Sequence, residues 1–219
     1  MNSKKYIFFD LDGTLTDPMT GITRSVQYAL KSYGIEEPDL EKLTPFIGPP
    51  LKDSFMKYYG FSEEKATEAI GRYREYFAVT GIFENQVYDG IPRMLKNLKD
   101  RGKTLLVATS KPELFAEQIL EHFHLKAYFS FVGGASMDEV RVKKEDVIAY
   151  IMESVRMADV KEAVMVGDRE HDIIGGKKNG MDTVGVLFGY GSRQELKAAG
   201  ADILAASVKE LEEILLAKM

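Results

Sequence analysis

Short apolar runs alternate with segments of helical periodicity along much of the sequence, and this alternation constrains the fold more than any other feature. The apolar runs are rich in β-branched and aromatic residues, as expected of strands buried on both faces. They are Tyr6–Phe9, Thr104–Thr109, Ala163–Val166 and Thr183–Leu187. The helical patterns of this part of the chain are Ile91–Asp100, Glu113–Phe123, Lys144–Val155, Asp172–Asn179 and a closing helix over Ser207–Lys218. Strands that alternate with helices predict an α/β fold with a doubly wound parallel sheet.

The interval after the first strand has a different character, because it contains no clear strand pattern. Its helical patterns are Gly21–Tyr33, Leu51–Tyr59 and Ser62–Val79, and prolines 38, 45, 49 and 50 interrupt them. We therefore predict a helical cap domain over residues 17–85, inserted into a core domain formed by residues 1–16 and 86–219. Both ends of the insertion lie near one edge of the predicted sheet, which places the cap to cover that edge.

Composition excludes several classes of protein. The chain has 219 residues, of which 45% are hydrophobic and 29% charged, so it can bury a substantial core. Its formal net charge of −5 gives no support for nucleic-acid binding. The absence of cysteine excludes disulfides and a thiol nucleophile. No signal peptide and no run long enough to span a bilayer is recognised, so we expect a cytoplasmic protein without a membrane partner.

Two carboxylates lie where the first strand ends. Asp10 and Asp12 follow the run Tyr6–Phe9, and Gly13 comes next. In open α/β sheets, ligands bind at the carboxyl edge of the strands. Carboxylates this close repel each other unless a cation lies between them or one of them takes a proton. The pair therefore predicts a metal ion, a proton or both at this edge.

Three further polar segments follow in a specific order. They are Thr109-Ser110-Lys111 after the second strand, Lys143-Lys144 at a helix start and Gly167–Asp172 after the third strand. Together with the first acidic pair, this order resembles the haloacid dehalogenase-like hydrolase superfamily over almost the whole chain, including a helical cap after the first motif. One short motif is weak evidence, but four in the right order are strong. The resemblance implies a Rossmann-like hydrolase core that catalyses phosphoryl transfer.

The resemblance also implies how the acidic residues divide the chemistry. Asp10 would be the nucleophile and form an aspartyl-phosphate intermediate. Asp12 would act as general acid and then as general base. Mg²⁺ would be bound by Asp10, by the backbone carbonyl of Asp12 and by Asp168. Asp172 would bind through water or orient the ligands.

Phosphate binding is implied for a second set of residues. Thr109 and the backbone N–H of Ser110 would hold phosphoryl oxygens, and Lys144 would neutralise charge on the nucleophile and the phosphate. Gly13 would let the backbone approach the phosphate closely. Lys143 is the alternative active lysine; we favour Lys144 because it lies directly at the start of the predicted helix, as the active lysine does in members of the family it resembles.

An acid at the position of Asp12 points to a phosphatase, since dehalogenases and P-type ion pumps resemble this pattern without one. A carboxyl group that works as an acid near neutrality needs a pKa above the usual value of about 4, and burial under a cap would raise it. Two other functions stay open. A sugar-phosphate mutase shares the cap and motifs, although such mutases usually differ at the position of Thr14. A non-catalytic metal-binding regulatory protein would keep the acidic pocket without turnover.

Several segments resemble the bacterial 5′-nucleotidase-like branch of the phosphoglycolate phosphatase group. They are Gly81–Tyr88, Ala108–Pro112, Gly167–Asp172 and Gly189–Ser192. The segment Phe46–Leu51 resembles the substrate-facing loop of that group. The resemblance implies a small phosphomonoester as substrate, either a nucleoside 5′-monophosphate or 2-phosphoglycolate. We expect Lys65, Arg72 and Arg74 on a solvated face of the cap. The sequence does not determine the oligomeric state, although it favours a monomer.

Overall fold

The computed structural model describes residues 4–138 and 140–217, and at its centre is a six-stranded sheet. Its strands are β1 (Tyr6–Phe9), β4 (Thr104–Pro112), β5 (Phe131–Ala135), β6 (Ala163–Gly167), β7 (Asp182–Val186) and β8 (Ile203–Ala205). Two short strands, β2 (Thr16–Asp17) and β3 (Gln86–Val87), form a separate antiparallel pair. The sheet order is β5-β4-β1-β6-β7-β8, and every neighbouring pair is parallel. The predicted doubly wound parallel sheet is therefore confirmed.

Nine α-helices accompany these strands in the described part of the chain. They are α1 (Met19–Lys31), α2 (Leu51–Tyr59), α3 (Glu63–Phe77), α4 (Ile91–Asp100), α5 (Glu113–His122), α6 (Lys144–Ser154), α7 (Glu170–Lys178), α8 (Arg193–Ala198) and α9 (Val208–Leu216). Eight agree with predicted helices within a few residues, and α8 was not predicted. The predicted end of the last helix at Lys218 lies outside the described residues, as do positions 1–3, 139 and 219 of the predicted core domain.

Two strands of the sheet were not predicted from the sequence. The first, Phe131–Ala135, contains two glycines, which remove the side chains that signal a strand. Its Gly133 lies so close to α6 that an added Cβ would be 2.3 Å from Cγ1 of Ile151. The second, Ile203–Ala205, has only three residues. Both are edge strands. In β5 close packing requires glycine, and β8 is too short to show a strand pattern in the sequence.

Neighbouring residues of β1 face opposite layers of the molecule. Phe8 is buried with Ile151 of α6, whereas Ile7 and Phe9 are buried in the larger core that includes Leu95 of α4. This alternation follows from the two-residue period of a strand. Burying each of these side chains contributes about 1.5–3 kcal/mol. Because both faces of β1 are covered, the strand holds the segment that follows it firmly at the carboxyl edge.

Residues 17–85 connect β1 to the rest of the core by way of α1, a 3₁₀ segment (Leu40–Phe46), α2 and α3. Helix α1 packs against α3 and against the 3₁₀ segment. The chain leaves and returns through the β2–β3 pair, in which Thr16 lies opposite Val87. We infer that residues 17–85 are the predicted cap domain, and we call them the inserted segment.

Candidate active site

Three buried carboxylates meet at the carboxyl edge of the sheet. Asp10 follows β1, Asp168 follows β6, and Asp172 lies in the first turn of α7. One oxygen atom of each lies within 4.8 Å of the others. We call these residues the acidic cluster. They converge because β1 and β6 are adjacent and in register, with Phe9 opposite Val166. An all-carboxylate set of oxygens suits a hard divalent cation.

The cluster carries more negative charge than the protein compensates. Burial raises the pKa of Asp168 well above its usual value, and repulsion from Asp172 and Asp10 raises it further. Burial also raises the pKa of Asp172 to about 6, against the opposing effect of the Lys144 ammonium. A divalent cation would relieve both effects, so the residues present fit a metal site.

Lys144 is the cation that the chain itself supplies to this cluster. Its Nζ lies 2.8 Å from Oδ1 of Asp10 and 2.9 Å from Oδ1 of Asp172, and it donates to the carbonyl oxygen of Ala108 at 2.8 Å. Burial alone would lower the pKa of Lys144, but the two carboxylates outweigh burial and raise it. Lys143, the alternative from the sequence, is exposed at the N-cap of α6. The structure therefore brings Lys144 to the cluster.

Asp168 is held by groups from two other segments. The Thr14 hydroxyl donates to Oδ1 at 3.4 Å, and the backbone N–H of Tyr190 donates to Oδ2 at 2.8 Å. Gly13 lies directly against this carboxylate, since an added Cβ would be 2.3 Å from Oδ2. Its φ of +82° also favours glycine. The segment after β1 therefore contributes the Asp10 carboxylate to the acidic cluster, and its backbone at Gly13 packs against Asp168.

Asp12 has a separate environment, and its carboxylate is not part of the acidic cluster. Its Oδ2 forms an ion pair with Nζ of Lys111 at 2.8 Å. Its Oδ1 is buried and has no hydrogen-bond partner among the described residues. Burial raises the pKa of Asp12, and the Lys111 ammonium opposes that rise. The shift has the direction that a general acid needs.

Two of the predicted phosphate-binding residues, Thr109 and Ser110, lie on the last part of β4. Thr109 is buried, and its hydroxyl accepts a hydrogen bond from the backbone N–H of Lys111 at 3.2 Å. Ser110 is half-buried. The pairing of β4 with β5 is irregular between Ala108 and Pro112. Because of this irregularity, residues 109–111 do not form the regular hydrogen-bond ladder between β4 and β5.

A cavity of about 410 Å³ lies between this edge and the inserted segment. Asp12 lines it together with apolar and aromatic side chains of both parts. These are Ile22, Phe46, Ile70, Tyr73 and Phe77 of the inserted segment and Phe115 of α5. The loop Gly48–Leu51 lines one side of the cavity.

Two residues of this cavity were missed or misplaced by the sequence prediction. Lys111, quoted only as part of a motif, is buried between Asp12 and the inserted segment, with Nζ 4.5 Å from the ring centroid of Phe77. Its position directly after Thr109 and Ser110 is the sequence signal that could have identified it. Arg74, expected on a solvated face, is half-buried and lines the cavity. That expectation was wrong because the α3 side containing Tyr73 and Phe77 faces the core.

In the described residues, no helix combines the length and apolar character that crossing a membrane requires.

Cleavage of an ester by a carboxylate nucleophile requires a cation beside the nucleophile and a separate proton donor. At the carboxyl edge of the sheet, Lys144 lies beside Asp10, and the buried carboxyl group of Asp12 lies apart from that pair. The fold and the site together define a hydrolase of the doubly wound α/β class. A family model of haloacid dehalogenase-like hydrolases matches residues 7–186, and the chain belongs to this family.

Individual relatives extend the similarity to almost the full chain. A 5′-nucleotidase from Pseudomonas aeruginosa is 49% identical over 95% of this chain and 94% of its own length. The tyrosine-protein kinase PtkA of Mycobacterium tuberculosis is 39% identical over 97% of this chain and 73% of its own length. The crystal structure of a predicted phosphatase from Clostridium acetobutylicum has a TM-score of 0.95 and 53% identity, covering 97% of this chain and 98% of that one. The expected superfamily is confirmed, and the chain is a phosphatase of this family.

Proposed function

We propose that the protein is a Mg²⁺-dependent phosphatase that hydrolyses nucleoside 5′-monophosphates through an aspartyl-phosphate on Asp10. One observation carries the proposal. The acidic cluster and a second, separately buried acid, Asp12, lie at one sheet edge, and Asp12 lines a 410 Å³ cavity whose walls are mostly apolar but also carry lysine and arginine side chains. The acidic cluster suits the binding of a phosphoryl group. Asp12 and the cavity suit a leaving group that must be protonated and bound.

Asp10 is oriented for attack by two contacts to the same oxygen. Its Oδ1 accepts from the backbone N–H of Leu11 at 2.7 Å and pairs with Lys144 at 2.8 Å. In the first step, a carboxylate oxygen of Asp10 bonds to phosphorus and the bond from phosphorus to the ester oxygen breaks. Asp10 and Asp168 would hold Mg²⁺, with Asp172 beside them, and the ion would supply positive charge that reduces repulsion between carboxylate and phosphate. Lys144 adds a second positive charge on the nucleophile.

Asp12 transfers the proton in both steps. Because Oδ2 is engaged by Lys111, proton transfer uses Oδ1, which has no hydrogen-bond partner among the described residues. The proton moves from Oδ1 to the departing ester oxygen, so the alcohol leaves neutral. Asp12, now ionised, accepts a proton from the water that attacks phosphorus. The bond to Asp10 then breaks, which releases phosphate and restores both carboxyl groups.

The cavity favours a nucleoside over glycolate as the leaving group. Its walls carry aromatic and aliphatic side chains, among them Tyr73 and Phe77 from α3 and Phe115 from α5. Pockets of several hundred Å³ with mostly apolar walls are typical of sites for drug-sized molecules. A two-carbon acid would leave most of the 410 Å³ unfilled and would not cover these walls. The similarity to a protein named 5′-nucleotidase also supports the choice.

The test measures phosphate release from nucleoside monophosphates, 2-phosphoglycolate and sugar phosphates. Each is assayed with Mg²⁺, with chelator, and with the Asp10→Asn and Asp12→Asn variants. We expect the highest kcat/KM with nucleotides, and loss of activity with chelator and with either variant. If Asp10→Asn hydrolyses at the wild-type rate, the covalent mechanism is wrong. A higher kcat/KM for 2-phosphoglycolate would refute the substrate choice.

The same panel separates the two alternative functions. Isomerised sugar phosphate without free phosphate would indicate a mutase. Mg²⁺ binding without phosphate release from any substrate would indicate a non-catalytic metal-binding protein. A cytoplasmic location and a monomeric state stay predictions of the sequence.

A further inference from the structure

Arg169 connects the loop of the acidic cluster to the inserted segment. Its Nη1 donates to the backbone carbonyl of Ile47 at 2.6 Å, and its Nε donates to Oε1 of Glu195 at 2.9 Å. The side chain is largely buried. Ile47 is fully buried and directly precedes the loop Gly48–Leu51, which lines the cavity. One guanidinium therefore holds the position of a loop that faces the leaving group.

The backbone of Arg169 also contacts the acidic cluster. Its N–H donates to Oδ2 of Asp172 at 3.1 Å, and the residue directly follows Asp168. From the opposite side, Gly48 lies against the stem of the arginine. A Cβ at Gly48 would be 2.8 Å from Cγ of Arg169, and its φ is +100°. The side chain of Arg169 and the backbone of Gly48 therefore fit together only without a side chain at position 48.

We propose that Arg169 is a positioning residue that sets affinity for the leaving group by holding the loop Gly48–Leu51 at the cavity. The proposal rests on the proposed phosphate-ester cavity but not on which ester is the substrate. The guanidinium satisfies Ile47 and Glu195 at once because its donors point in different directions from one plane. A lysine at this position keeps the charge but cannot donate to both Ile47 and Glu195 with the same geometry.

The central variant is Arg169→Lys, assayed with p-nitrophenyl phosphate and with nucleotides. We expect KM to rise about ten-fold, as for loss of one charge-assisted hydrogen bond, and kcat to stay within about two-fold. The inhibition constant of inorganic phosphate should change less than about two-fold, since phosphate needs only the acidic cluster. Amide hydrogen exchange of a peptide covering residues 46–52 should become faster, and this measurement needs no substrate.

Two glycine variants approach the same contact from the inserted segment. Gly48→Ala should raise KM as Arg169→Lys does, because the new methyl group displaces the arginine stem. Gly60→Ala is the matched control: its φ is +65°, but nothing lies within 4 Å of the added Cβ. It should leave KM unchanged. Combining Arg169→Lys with Gly48→Ala should raise KM no further than either change alone, since both break one contact.

Four results would overturn the proposal. Weaker phosphate inhibition in step with KM would show that Arg169 acts through the acidic cluster. Equal effects of Gly48→Ala and Gly60→Ala would show that backbone strain is responsible. Additive effects in the double variant would show two independent contacts. Unchanged exchange and KM in Arg169→Lys would show that the loop does not depend on the arginine. If the wild type released no phosphate, the proposed function would fail, but the exchange measurement would still test the contact.

Discussion

Replacing Lys144 with methionine tests whether the lysine neutralises the acidic cluster. The side chain is only 2% exposed, and its ammonium pairs with both Asp10 and Asp172. Methionine fills a similar volume without the charge, so the variant removes the ion pairs and leaves the packing nearly unchanged. Two buried carboxylates then lose their only cation from the described chain.

The expected magnitudes follow from this geometry. Removing one partner of a buried ion pair costs about 3–5 kcal/mol of unfolding free energy. For a chain of this size, each kcal/mol shifts Tm by about 2–4 °C, so Tm without metal should fall by roughly 6–20 °C. Mg²⁺ should recover part of this loss, because it supplies positive charge to the same carboxylates. Loss of a charge that stabilises the transition state should lower kcat by about 10²–10³-fold.

The assay combines phosphate release with thermal unfolding, with and without Mg²⁺. Lys143→Met is the matched control, since it removes the same charge from the adjacent exposed position. We expect kcat of the control within about three-fold of wild type, with Tm unchanged; KM is free to shift because Lys143 borders the cavity. Equal losses of kcat in the two variants, or near-wild-type kcat in Lys144→Met, would refute the reasoning.

Three further outcomes follow from the site. Since burial raises the pKa of Asp172 to about 6, the folded state binds a proton more readily than the unfolded chain. Stability without metal should therefore rise as pH falls from about 7.5 to about 5, and Asp172→Asn should flatten this rise in thermal melts. Gly13→Ala should destabilise the protein by about 1–2 kcal/mol or more and abolish the Mg²⁺-induced rise in Tm, whereas Gly60→Ala should keep that rise. Lys111→Met should raise the pKa of Asp12 further, moving the alkaline limb of kcat/KM to higher pH; an unmoved limb would contradict the assignment of Asp12 as the acid.

The sequence predicted that Asp10 and Asp168 lie at one site, because parallel strands place their carboxyl ends at one edge of a sheet. Asp10 and Asp168 each follow an apolar run, so their meeting required only that β1 and β6 be neighbours. The long helices were equally predictable from their periodicity. Lys111 and Arg74 were not, because their environment depends on how α3 packs over the sheet edge, which no local pattern specifies.

Strand β5 shows why some strands cannot be predicted from the sequence alone. Its Gly133 and Gly134 are required because α6 and the start of α5 approach too closely for side chains. Sequence patterns read such glycines as turn signals, although here they permit close packing within a sheet. Tertiary contact, and not local propensity, decides the structure of this segment.

The antiparallel pair β2–β3 also bears on how this architecture diversifies. The inserted segment begins and ends on two strands that lie side by side, with Asp17 opposite Gln86. A different insertion with similarly spaced ends would join the same two strands without altering the register of β1 or the position of Asp10. Recombination at this junction would therefore exchange the inserted segment as one piece and leave β1 and the acidic cluster unchanged.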